Sequence, residues 1–498
     1  MPAKQKRVES IYPVSRGKLF LEQLEDRTAP ATSALDVAFG VAGASHVQLE
    51  GFDLEMRDLV IQEDNKIVGA GRITDEQGNQ DFFVSRFHSN GWLDQSFGEG
   101  GFSIIDFGED EEGASALTLD EQGNIVVVGN SGFQFAIARI NADGIEDQSF
   151  GTRGKVITAI SGARDVAHGV VVQSDKIIVA GYSNNSVTTS EIAVLRLNND
   201  GLPDGTFDQD GIVTKSFPGY RAVGLDVILD EEGNIIVSSN RNRVSPRGDF
   251  HFVLVKFDTD GQPVDAFGNE GIAVSAFPNS RGEVWDAVLA VQSDGSLLVG
   301  GGSDQFTSFP RYAVTRFDPT GEIDRLFGTD GITILPFTGA VHDIAVLPDN
   351  SFFVTGDNIP EINVPNAYVS YFDKDGTPDD AFGDNGHVAI PFNGQALLHQ
   401  PDGRIVVGGF TNQTSKDIAM MRFEGTAESS NVLLHDNFND NSLDTSLWST
   451  NTDIVRGPAR VEEQNGQILL SNRGHLNTKS EIQAFCTKSD SGDRSRHL

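Results

Sequence analysis

A block of sequence roughly 57 residues long recurs seven times between Leu35 and Gly425, and this periodicity constrains the chain more than any other feature. Its clearest mark is a Phe before Gly or Asp, preceded by an acidic residue: LDVAFG at Phe39, LDQSFG at Phe97 and EDQSFG at Phe150. The mark returns as PDGTFD at Phe207, VDAFG at Phe267, IDRLFG at Phe327 and DDAFG at Phe382. Two further marks keep step with it. One is an acidic turn leading into an apolar run, as in EQGNIVVVG at Glu121 and PDGRIVVGG at Pro401. The other is an alternating strand that ends in a turn, as in FAIARINADG at Phe135 and FVLVKFDTDG at Phe252. Runs of β-branched and aromatic residues, split by Gly, Asn and Asp, spell strands and tight turns. Counting the short run after each FG mark, every unit holds about four strands, and no segment carries a sustained helical period.

A four-stranded unit cannot bury both of its faces alone. Units must stack on their neighbours, and closing the stack into a ring removes exposed edges. The sequence therefore predicts an all-β fold, a β-propeller of seven four-stranded blades over residues 32–427. Register points to how the ring closes. An Arg lies eight residues before the Asp of the next mark at Arg86 and Asp94, Arg139 and Asp147, Arg196 and Asp204, and Arg316 and Asp324. Where that acid is replaced by Val264 the cation is Lys256, and before Asp379 the position is Tyr371. Asp36 at the start and Arg422 at the end have no local partner, so they are expected to meet, the N-terminal segment completing the last blade. These Arg residues share strand faces with apolar neighbours, which favours buried bidentate pairs over a ligand-binding ring.

The repeat resembles the delta-60 repeat family, whose pattern runs LDxSFGxxG, VQxDGKIVVAG and DFALARYNxDG. LDQSFGEGG at Leu93, VVQSDKIIVAG at Val171 and FAIARINADG at Phe135 carry the likeness. That resemblance implies a β-propeller of the kind found in large bacterial extracellular proteins. It brings no catalytic residues that could be placed on this chain.

The ends are different in kind. Residues 1–31 form a basic leader without the apolar stretch of a secretory signal, expected to be disordered or removed. Within it, LEQLEDRTAPA at Leu21 resembles the LEPLEDR-type leader of planctomycete surface proteins, which implies export and trimming near Ala29 or Ala31. Residues 428–433 read as a linker. Residues 434–480 resemble the opening of a concanavalin-like or laminin-G-like jelly roll, a fragment of a β-sandwich that looks truncated or frame-disrupted. Residues 481–498 read as an atypical, disordered tail.

Composition narrows the partners. Acidic residues number 72 against 37 basic, a formal charge of −35, which excludes a nucleic-acid binder. No apolar run approaches a membrane span. Cys486 stands by itself in the tail, so stability must come from packing rather than disulfides. A monomer exposed to the extracellular medium or the cell surface fits these features.

Two groups of residues are candidates for binding. The turns DTDG at Asp258 and DKDG at Asp373 bring Asp258, Asp260, Asp373 and Asp375 into short oxygen-rich loops that suit Ca2+, although Asn/Asp-Gly pairs equally make tight turns. HSNG at His88 and DPTG at Asp318 fill the same place with poorer ligands, which favours turns. Asp58, Asp226 and Asp343 occupy one aligned position, so three carboxylates are expected to face the propeller axis, with His168 and His342 nearby for metal or acid–base chemistry. Zinc, nucleotide and nucleophile motifs are missing from the chain. Three functions compete: a noncatalytic surface propeller that binds carbohydrate or protein, an enzyme (lyase or hydrolase) using axial carboxylates, and a structural spacer of the envelope. The first is the preferred expectation; no catalytic residue is assigned, and no cofactor beyond possible calcium.

Overall fold

The computed structural model describes residues 35–161, 163–184, 190–243, 250–275, 285–303, 310–358, 366–412, 415–424, 459–464 and 467–472. The chain divides into two compact units, Met1–Thr426 and Ala427–Leu498. The second is described only in an antiparallel hairpin, Ala459–Gln464 with Gln467–Asn472. The leader at 1–31, the linker at 428–433, the remainder of 434–480 and the tail lie outside the described residues.

The first unit is a seven-bladed β-propeller. Seven four-stranded antiparallel sheets follow one another in chain order. Their innermost strands are Phe52–Ile61, Glu112–Leu119, Arg164–Gln173, Tyr220–Leu229, Trp285–Val291, Ala340–Val346 and Asn393–His399, which define blades one to seven. Blade seven takes its outermost strand from the far end of the chain, where Ala44–Val47 pairs with Ile418–Phe423. Each sequence repeat is thus offset from a blade by one strand, because the run after an FG mark finishes the preceding sheet.

Apolar side chains interleave across every joint. Val68, Ala70, Phe82 and Val84 of blade one pack with Ala114, Leu117 and Val127 of blade two in one cluster. A second joint is built from the marks. Phe97 is fully buried and lies beneath the turn of blade two, where a Cβ on Gly144 would come within 3.0 Å of its ring. Gly144 also holds φ at 84°, a left-handed conformation that glycine adopts at low cost. The Gly98 N–H donates to the Asp143 carbonyl of that turn at 2.8 Å. Phe39, Phe150, Phe207, Phe267, Phe327 and Phe382 are buried at the equivalent places.

The Arg residues fasten these joints. Arg86 Nε donates to Asp94 Oδ2 at 2.9 Å, its guanidinium lies 4.8 Å from the Phe97 ring centre, and Nη1 reaches the Ala142 carbonyl of the next blade. Arg139 and Arg196 repeat this with Asp147 and Asp204. At the closure Arg422 Nε donates to Asp36 Oδ2 at 2.7 Å and Nη1 to the Ser89 carbonyl at 2.6 Å. The exception in blade four has its own solution: Lys256 Nζ pairs with Asp230 at 2.6 Å, replacing the acid lost at Val264.

Candidate binding site in the axial channel

Each innermost strand carries a β-bulge at the same height. In blade one Met56 pairs with Gly71 and Asp58 with Ala70, so Arg57 between them has no partner and is turned inward. Ser115, His168, Leu225, His342 and Gln395 occupy the matching irregularities. In blade five the irregularity lies between Trp285 and Val288 and takes in Asp286, whose backbone adopts φ 55°. Asp is among the side chains that adopt this left-handed conformation most readily. The partner strand accommodates the bulge through glycine: a Cβ on Gly71 would lie 1.9 Å from the Glu55 carbonyl oxygen, and Gly129 and Gly356 are as close to theirs. In the Gly408–Gly409 step, Gly409 makes the same close approach to the Asn393 carbonyl, and Gly408 makes room for the Leu59 side chain of blade one.

The seven bulges surround a cavity of about 470 Å³. Arg57, Ser115, His168, Leu225, Asp286, His342 and Gln395 line it, together with Arg72 and Asn130 from second strands. The wall is electrostatically uneven. On the side of blades one and seven, Glu55 is almost fully buried and accepts from Arg57 Nη2 at 2.6 Å, from Arg72 Nη2 at 2.8 Å, and from Lys416 Nζ. Although burial opposes it, these cations hold the Glu55 carboxyl down at about 2. Farther round the ring, on blade six, His342 Nδ1 lies 3.0 Å from Asp286 and Nε2 lies 3.1 Å from Asp357. Burial disfavours the imidazolium, but the two carboxylates outweigh it and push His342 up to about 10. His168 is the opposite case: it stacks on Tyr182 with ring centres 5.7 Å apart, and burial, with Arg57 adding to it, lowers it to about 4. It is neutral at physiological pH.

The structure brings Asp58, Asp226 and Asp343 to this cavity, where they also tie blades together. Asp58 Oδ1 accepts from the Leu59 N–H at 2.7 Å and Oδ2 from the Leu117 N–H of blade two at 2.8 Å. Asp226 accepts from Val227 and Leu289, and Asp343 from Ile344 and Leu397, in the same manner. Burial, opposed by those N–H donors and reinforced by the other two carboxylates, pushes Asp58 up to about 7. Asp226 rises to about 7 and Asp343 to about 6, burial leading in both.

The turn residues are engaged elsewhere. Asp258 Oδ1 accepts from the Asp260 and Gln262 N–H groups at 2.9 and 2.8 Å, and Asp373 Oδ1 from Asp375 and Thr377 at 3.0 and 2.8 Å. The Asp260 and Asp375 carbonyls receive the Asp208 and Gly328 N–H groups of neighbouring blades. Among the described residues, the one grouping of three potential metal ligands is Asp81, Asp106 and Glu112, where Glu112 already accepts from the Phe107 and Glu109 N–H groups. Reading the sequence alone overlooked Arg57, Arg72, Asp286, Ser115 and Gln395. The position before the aligned Asp58 and before its counterparts Ala116 and Ala396 was the available signal for Arg57, Ser115 and Gln395, whereas the repeat marks neither Arg72 nor Asp286.

A ring of seven four-stranded blades around a polar axial cavity defines a β-propeller with a central site. Four segments, residues 62–97, 173–207, 292–327 and 400–425, match the family described as domain of unknown function (DUF5122) beta-propeller. The sequence matches no curated protein. Among solved structures, a protein of unknown function from Dyadobacter fermentans is 14% identical, with TM-score 0.43, covering 77% of this chain and 99% of that one. Virginiamycin B lyase from Staphylococcus aureus is 12% identical, with TM-score 0.42, covering 76% and 98%. A polysaccharide lyase described as an ulvan lyase is 12% identical, with TM-score 0.42, covering 76% and 96%. These are likenesses of fold.

Proposed function

We propose that the protein is a noncatalytic extracellular or cell-surface module whose axial channel binds a saccharide. The observation that carries this reading is the ring of bulge side chains. Six blades each present a polar group at one height around a cavity of about 470 Å³, a size that suits a small ligand. Hydrogen-bond donors and acceptors are both present there, as hydroxyl-rich ligands require, and a spacer needs no such ring. The export-type leader and the strongly acidic composition support a place outside the cell, where a polysaccharide or a surface protein is available as partner. The test is a glycan array with the full chain, repeated with Ser115→Trp to fill the channel. Binding that disappears in the variant supports the reading; binding that survives moves recognition to another face and sinks it.

An enzymatic reading is favoured by one observation. His168 is unprotonated at neutral pH and lines the cavity, so it can accept a proton from a bound ligand. The three Asp have both oxygens engaged by backbone N–H groups, which favours His168 over them as the proton-transfer group. His168→Gln that keeps binding but ends cleavage, followed by mass spectrometry of the saccharide, supports this reading; no cleavage by the unaltered protein removes it.

A further inference from the structure

We infer that Arg57 and Arg72 form an anion subsite, so that the saccharide taken by the channel is an acidic one. This deepens the saccharide reading and rests on it. Three cations, Arg57, Arg72 and Lys416, converge on the single carboxylate of Glu55, leaving two positive charges in surplus. Such a surplus is unexpected in a chain of net charge −35, and it is placed where two of the cations line the cavity. Glu55 is 4% exposed at its side chain, whereas Arg57 and Arg72 are 37% and 32% exposed, so the negative charge is hidden and the positive charge is presented. Arg57 is also held in place. Its Nη1 donates to Gln395 Oε1 at 2.8 Å, its Nη2 to Glu55, and its guanidinium lies 5.3 Å from the Phe410 ring centre. A planar fork fixed on three sides, with donors to spare, suits a carboxylate or a sulfate ester. Farther round the ring, at blades five and six, two carboxylates flank the single cation His342, so that part of the wall is net negative and does not offer a second place for an anion.

The experiment uses calorimetry on the full chain with two matched pairs: oligogalacturonate against its methyl ester, and a sulfated galactan oligomer against its desulfated form. The charged member of at least one pair is expected to bind about tenfold tighter or more, and that preference should fade with added salt. The pair showing it tells carboxylate from sulfate. Arg57→Gln should abolish the preference, while Glu55→Gln, which uncovers a further positive charge, should strengthen it. A residue that only supports the fold would weaken binding in both variants. Equal binding of charged and neutral members overturns the subsite and leaves the saccharide reading standing. Binding of neither member of either pair, in a chain whose melting is unchanged, defeats both.

Discussion

The Arg–Asp–Phe staple shows how one side chain serves two blades. Arg139 pairs with Asp147, lies 4.7 Å from the Phe150 ring centre, and reaches Asn199 of the next blade. Removing it leaves a carboxylate and an aromatic ring without their partner in a desolvated joint. Arg139→Ala is therefore expected to lower stability by roughly 3–5 kcal/mol, measured by urea unfolding. Arg139→Lys should cost less, about 1–2 kcal/mol, because a lysine keeps the charge but loses the fork. Lys256 is the internal precedent, since it holds blade four by reaching Asp230. The mark itself predicts an effect as large as that of Arg139→Ala. Phe150→Ala empties a fully buried site under the neighbouring turn and should cost about 3–5 kcal/mol in the same measurement.

At the scale of the strand, the closure of blade seven carries the integrity of the ring. Ala44–Val47 covers the edge of Ile418–Phe423, Asp36 receives Arg422, and His46 Nε2 lies 3.1 Å from Asp417. A chain lacking residues up to Val47 exposes that edge, and it is expected to self-associate as well as melt earlier. Light scattering across a concentration series checks this, with Asp36→Asn, which keeps the strand, as a less stable but monomeric control. This joint was legible in the sequence, because Asp36 and Arg422 were the two members of a strict repeat left unmatched. The blades were legible for the same reason: what seven copies share is what the fold demands of each. The channel was much less so. Its residues, Arg57, Ser115, His168, Leu225, Asp286, His342 and Gln395, differ from blade to blade, so periodicity hides them. The aligned acids Asp58, Asp226 and Asp343 drew notice because three blades share them, and they share them to hold the adjoining strand. The glycines opposite the bulge, such as Gly71 and Gly129, carry no local signal because their reason is a carbonyl from another strand.

For the whole molecule, two sets of ionisable groups dominate the pH dependence of stability, opposed by His168, which is lowered from 6.5 to about 4 and so adds a smaller gain as pH rises between those values. The first set is held below its ordinary range. Glu55 sits at about 2, and Asp94 is also lowered, burial opposing and Ser96 and Arg86 prevailing. Depressed carboxyls contribute stability above their unfolded values that is lost as pH falls through the folded ones, so this set fails in acid below about pH 4. The second set is raised. Asp58 moves from 3.8 to about 7, Asp226 from 3.8 to about 7 and Asp343 from 3.8 to about 6. A raised carboxyl contributes stability that is complete below its unfolded value and is lost as pH rises through the folded one. These three therefore withdraw stability between about pH 4 and about pH 7. His342, raised from 6.5 to about 10, adds a loss that begins near neutrality and ends in alkali. With one set failing below and the other above, the melting temperature is expected to be highest near pH 5 and to decline toward pH 8. Differential scanning fluorimetry across that range measures it. Asp343→Asn separates cause from coincidence: losing an acceptor for the Leu397 N–H lowers the curve everywhere, while removing a titrating charge makes its decline shallower. A variant curve parallel to that of the unaltered protein would show that the axial carboxylates do not set the slope.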